Sequence, residues 1–106
     1  MTVQVMTLTY DVEAGDFALF RAAVIKHAEL ARKRETVCMR FDVNFGAERQ
    51  TLCLTYAVFV SGEALDHHLT SDHFHLFEEM SRPWVISRVA QYWELGASGR
   101  LSTISS

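Results

Sequence analysis

Four of the chain's five histidines fall within nine residues of the stretch EALDHHLTSDHFHLFEE, as His67, His68, His73 and His75. Imidazole titrates near neutral pH and ligates transition metals. The cluster therefore has three readings: a metal site, a pair of proton-transfer groups, or two amphipathic helices whose histidines are close by coincidence. Metal ligands on one helix need i,i+3 or i,i+4 spacing, as in H-E-x-x-H, so that both rings project to one side. His68 and His73 are five apart with a helix start between them, and rings two apart on a helix, such as His73 and His75, diverge by about 200°. No helix-local metal site follows, although one assembled with residues from distant segments stays open. His67 beside Asp66, and His75 with Glu78 and Glu79, read as solvated. His68 follows Leu65 by three and faces inward, and His73 opens the next helix. These two are expected to meet across the bend at Thr70-Ser71, facing an apolar hollow that a second subunit helps to close.

The elements that must position them read as follows. TVQVMTLTY (2–10) is rich in β-branched residues and forms a strand. Asp16 then caps a helix from Phe17 to about Arg34. On it Phe20, Ala23, Val24, His27 and Ala31 share a stripe, so His27 lies inward, either as a core histidine or lining a cavity. VCMRFDVNF (37–45) alternates, with Val37, Met39, Phe41, Val43 and Phe45 on one face. GAERQ is a hairpin loop, and TLCLTYAVFV (51–60) returns with both faces apolar, as in a strand covered on both sides. Pairing Phe45 near Gln50 sets Cys38 opposite Ala57 and Cys53 opposite Asp42, about 13 Å apart and beyond disulfide reach. Ser61-Gly62 opens a short helix through Leu69, Ser71 caps another from Asp72 to about Arg82, and Pro83 ends it. WVISRVAQYWEL (84–95) is the last strand.

The order βαββαβ, with right-handed crossovers, gives an α+β fold of ferredoxin-like type: a four-stranded antiparallel sheet with helices on one face. One domain covers residues 1–96, with a flexible small-residue tail at 97–106. The helices can cover only one side of the sheet, so the doubly apolar strand 51–60 implies a homodimer.

The chain has 106 residues, 49% apolar and 22% charged, with a net charge of -3. That balance suits one soluble domain and leaves no concentrated basic face for nucleic acid. The run RKR at Arg32–Arg34 reads as cations at a helix C-terminus. No apolar run is long enough to span a membrane, and no leader-like segment precedes the first strand. With only two cysteines, the expectation is a cytoplasmic protein with reduced thiols.

The segment FDV, followed by an aromatic-containing strand and EALDHHLTSDHFHLF, resembles the antibiotic biosynthesis monooxygenase domain, the quinol monooxygenase-like family. The motif residues are Ala64, Leu65, His68, Ser71, His73, Phe74 and Phe77, and the likeness runs from about Val3 to Trp93. The resemblance implies a dimeric α+β barrel built from two sheets packed face to face. Two features depart from the family pattern. ETVC keeps Glu35 and Cys38 but not the intervening proline and glycine, and Ala57 stands where an acidic residue is common. The haem-degrading branch does not fit, because His68 and Glu78 stand where its tryptophan and axial histidine belong.

No dinucleotide fingerprint, phosphate loop or metal motif is present, so no cofactor and no metal is indicated. The resemblance then implies a cofactor-independent monooxygenase in which a quinol-like or polyphenolic substrate itself reduces O2. Such a site needs an apolar pocket, for which Phe20, His27, Phe41, Phe74, Phe77 and Trp84 are candidates. His68 or His73 would act as the base, and Arg40 and Tyr56 would steady the oxyanion. Two alternatives use the same fold: an isomerase or decarboxylase-type enzyme on a small carbonyl substrate, and a non-catalytic dimeric ligand-binding module.

Overall fold

The computed structural model of the chain describes residues 2–97. The expected flexible tail lies outside them, Ala97 excepted. Four strands, β1 (Gln4–Val12), β2 (Cys38–Phe45), β3 (Leu52–Phe59) and β4 (Val85–Glu94), form one antiparallel sheet in the order β2-β3-β1-β4. Helix α1 (Phe17–Arg34) links β1 to β2 across β3. Helices α2 (Gly62–Leu69) and α3 (Asp72–Ser81) link β3 to β4 across β1. This is the expected βαββαβ arrangement. Its core lies between sheet and helices, where Met6, Leu8, Tyr10, Cys53, Ala57 and Phe59 meet Phe20, Val24, Ala28 and Phe77.

Local chemistry places the helix ends. The Ala64 amide donates to Ser61 Oγ and the Phe74 amide to Ser71 Oγ, closing two N-caps. Ser71 Oγ also donates to the His68 carbonyl at 2.7 Å, so one hydroxyl joins the end of α2 to the start of α3. Asp16 occupies the cap position of α1 without a side-chain bond to the helix, because a 3-10 turn at Ala14–Asp16 leads into it. Pro83 sits in a second 3-10 turn, Arg82–Trp84, so the last strand begins at Val85 rather than Trp84.

The hairpin register differs from the expected one. Phe45 pairs with Cys53, Asp42 with Tyr56 and Cys38 with Phe59. The loop is wider than GAERQ alone: the Gly46 amide donates to the Leu52 carbonyl, and a Cβ at Gly46 would lie 2.2 Å from the Arg49 carbonyl oxygen. A three-residue slip of this kind turns a strand over. Cys53, Thr55, Ala57 and Phe59 face the helices, while Leu52, Leu54, Tyr56 and Val58 face away. Both faces of β3 are apolar, so its pattern could not choose between the two registers. Near the start of β2 an irregularity between Cys38 and Arg40 turns Met39 outward while Cys38 and Phe41 both point to the core. Cys38 and Cys53 are free and buried, six residues apart along β3 once Cys38 is set opposite Phe59, or roughly 20 Å at strand rise.

The sheet face away from the helices carries Leu54, Val58, Val89 and Trp93, with Trp93 50% exposed. Trp93 lies beside Thr7, its indole N–H donating to Thr7 Oγ1 at 3.1 Å. Among the described residues nothing covers this face.

Candidate functional site

The bend between α2 and α3 does what the sequence suggested, turning His68 and His73 toward a common point. The group at that point comes from elsewhere. Glu35, the residue that ends α1, places Oε2 within 2.7 Å of His68 Nδ1 and in contact with His73 Nε2. His68 is 0% exposed and Glu35 4%. An ionised carboxylate only accepts hydrogen bonds, so both rings donate to it. With Glu35 as the acceptor and both rings neutral, His68 carries its proton on Nδ1 and His73 on Nε2, with lone pairs on His68 Nε2 and His73 Nδ1.

His27 completes the cluster from the inward stripe of α1. Its ring centre lies 5.7 Å from that of His68 and 5.8 Å from that of His73, and it stacks on Phe77 at 4.7 Å. Phe41, Phe59 and Phe74 enclose His68 at 5.9, 5.0 and 5.1 Å. This apolar jacket disfavours charge on the His68 ring. Burial, reinforced by His68 and His73, drops the His27 pKa to about 3. Burial also lowers that of His68, against the pull of Glu35. Glu35 Oε1, His68 Nε2 and His27 Nδ1 are buried without hydrogen-bond partners among the described residues.

The cluster reaches the surface through His73 and His27. A cavity of about 240 Å³ between α1 and α3 is lined by Ala23, Lys26, His27, Leu30, His73, Leu76, Phe77 and Met80. A shallower groove of about 470 Å³ shares Leu30, His73 and Leu76 with it and adds Arg34 and Glu79. His68 lines neither. The hollow lies on the helix side of the fold, so its walls are not the uncovered sheet face.

Other expected site residues are placed differently. Phe41, Phe74 and Phe77 surround the imidazoles. Phe20 packs instead against Tyr10 and Phe77 within the core. Trp84 sits in the turn before β4, its carbonyl accepting from the Glu13 amide. Arg40 and Tyr56 lie on the far side of the sheet, where Arg40 pairs with Asp42 at 2.6 Å. The sheet separates both from the imidazoles of the same chain, so neither can steady an oxyanion beside them there. His67 and His75 are exposed, as expected. Glu35 was absent from the expected site. The signal for it was a carboxylate directly after RKR at a helix C-terminus, where the helix dipole opposes negative charge.

No family model matches the chain, and no curated protein matches it. Solved structures do. The fold is shared with a candidate antibiotic biosynthesis monooxygenase from Nitrosomonas europaea, at 20% identity and TM-score 0.83 over 92% of this chain and 94% of that one. A second such candidate, from Caulobacter crescentus, gives 18% identity and TM-score 0.85 over 91% and 92%. A Shewanella oneidensis protein, SO0527, gives 20% and 0.81 over 89% and 91%. At these identities the similarity establishes the architecture, a four-stranded antiparallel sheet with helices on one face.

Proposed function

We propose that the chain is a member of the antibiotic biosynthesis monooxygenase family and oxidises a small, electron-rich aromatic molecule of quinol or polyphenol type with O2, without an organic cofactor. One observation carries this reading: a buried carboxylate–imidazole pair, Glu35 and His73, ends at the wall of an apolar cavity sized for a flat ring. His73 Nδ1 takes a proton from the substrate, and Glu35 Oε2 holds the opposite side of the ring and stabilises the imidazolium that forms. The substrate anion then passes electrons to dioxygen. With a substrate of anthrone type the ring CH2 becomes C=O, one oxygen atom entering the product and the other leaving as water. His68 is a positioning residue, fixing Glu35 from the side away from the cavity. Leu30, Leu76, Phe77 and Met80 exclude water from the anion.

Oxygen consumption with a panel of hydroquinones and anthrones tests the reading, and turnover should fall by about a hundredfold or more in His73→Asn. An absence of oxygen uptake with every member of the panel would sink it. Tight binding of the same aromatics without oxygen uptake would favour the ligand-binding alternative. That outcome has its own support in Ala57, fully buried and methyl-sized where relatives of this type commonly carry an acid. Proton exchange into a carbonyl substrate under nitrogen would favour the isomerase or decarboxylase alternative.

The uncovered sheet face supports a second part of the proposal, a homodimer formed by packing two such faces together, as in the dimeric α+β barrel.

A further inference from the structure

We infer that Glu35, His68 and His73 also form a binding site for one divalent transition-metal ion, with Zn2+ and Co2+ as its probes. The inference stands on geometry and donor chemistry and does not depend on the oxygenase reading.

The three residues offer one carboxylate oxygen and two imidazole nitrogens, all within 4.8 Å of one another. Two histidines and a carboxylate make up the protein ligands of many zinc and non-haem iron sites, which leave further positions open. A metal cation would compensate the Glu35 charge more fully than two neutral imidazole donors do. A buried carboxylate is costly unless paired, and its only bonded side chains are His68 and His73, with no lysine or arginine among the described residues. Glu35 Oε1, which has no hydrogen-bond partner among the described residues, can make the carboxylate bidentate. The ring centres of His68 and His73 lie 5.7 Å apart. Imidazoles bound to one ion through bonds of about 2.1 Å are spaced by roughly that much. The phenyl rings of Phe41, Phe59 and Phe74 complete a dry shell around His68, the kind of outer layer that strengthens ligation.

Metal binding would leave a specific mark. To ligate through the nitrogens that now face Glu35, His68 must move its proton to Nε2 and His73 to Nδ1. Both tautomers invert. On the oxygenase reading, the same change removes the His73 Nδ1 lone pair, so a bound ion inhibits turnover.

The test uses the full chain stripped with a chelator. Calorimetry with Zn2+ and visible absorption with Co2+ should show one ion per chain, a tetrahedral Co2+ spectrum and a Kd below about 10 µM. Glu35→Gln and His73→Asn should each weaken binding about tenfold or more. The double variant His67→Asn/His75→Asn, which removes the exposed pair, should bind as the unaltered chain does. Ring-nitrogen NMR of the unaltered chain should show both tautomers inverting at stoichiometric Zn2+, which keeps the test valid if a buried variant misfolds. No saturable 1:1 binding, binding that is lost with His67 and His75, or ring spectra unchanged at saturation would each overturn the inference. The two readings also fail separately. Zn2+ binding without oxygen uptake by the stripped protein leaves the metal site and removes the oxygenase. Uptake without Zn2+ binding does the reverse.

Discussion

A carboxylate at the C-terminal end of a helix faces the negative end of the backbone dipole, and Glu35 occupies that place after three consecutive cations. The cost is offset by two imidazole donors, and on the proposed function this pairing makes His73 the base. His73→Asn should therefore lower turnover by about a hundredfold or more, as loss of a general base does. His68→Asn should lower it less while destabilising the fold, and equal effects from both would contradict the separate roles. The third imidazole gives a pH signature. His27 protonates near pH 3 when folded but near 6.5 when unfolded. Between those values the unfolded state binds the extra proton, so stability rises with pH and is lost on acidification. This one group contributes about 1.4 kcal/mol per pH unit. His27→Gln, followed by urea unfolding in chelator, should flatten that slope, and an unchanged slope would assign it elsewhere. The cysteines should be inert, since burial raises Cys38 to about 11 and Cys53 to about 12. Alkylation at about pH 8 should track global unfolding, and faster labelling would show local opening.

At the scale of elements, the α2–α3 bend decides whether the site exists. Ser71 caps α3 with its hydroxyl and at the same time donates to the end of α2. Ser71→Ala should cost about 1 kcal/mol, as lost caps do. It should also reduce turnover without abolishing binding of the aromatic, because His73 loses its orientation while the cavity walls stay in place. Full activity with the expected stability loss would show that the hydroxyl serves the fold alone. The spacing of α2 and α3 was legible in the sequence because cap residues and a 3.6-residue stripe are local signals. The β2–β3 register was not. Register is specified when one face of a strand is polar, and β3 has two apolar faces.

For the whole molecule, the sheet face bearing Leu54, Val58, Val89 and Trp93 is left uncovered among the described residues. Contiguous apolar surface on a small domain marks an interface. Light scattering should give the mass of a dimer at micromolar concentration, and Trp93→Glu should give a folded monomer, because two such faces would bury unpaired carboxylates. A monomeric unaltered chain would contradict the dimer. The cavity is on the helix side of each subunit, so the monomeric variant should still bind the aromatic.

What the sequence determined by itself was whatever local periodicity encodes: four strands, three helices, their order, and which histidines turn inward. Periodicity acts over neighbours two to four residues apart, and the strands, the helices and the inward histidines are set at that range. What joined Glu35 to His68 and His73, across 33 and 38 residues, was the packing of α1 against the α2–α3 bend. The same long-range packing placed Arg40 and Tyr56 beyond the sheet and chose the face that β3 turns to the core. No local pattern distinguishes a carboxylate bound for solvent from one bound for a buried pair of imidazoles; only the tertiary contact supplies the two donors that make its burial tolerable.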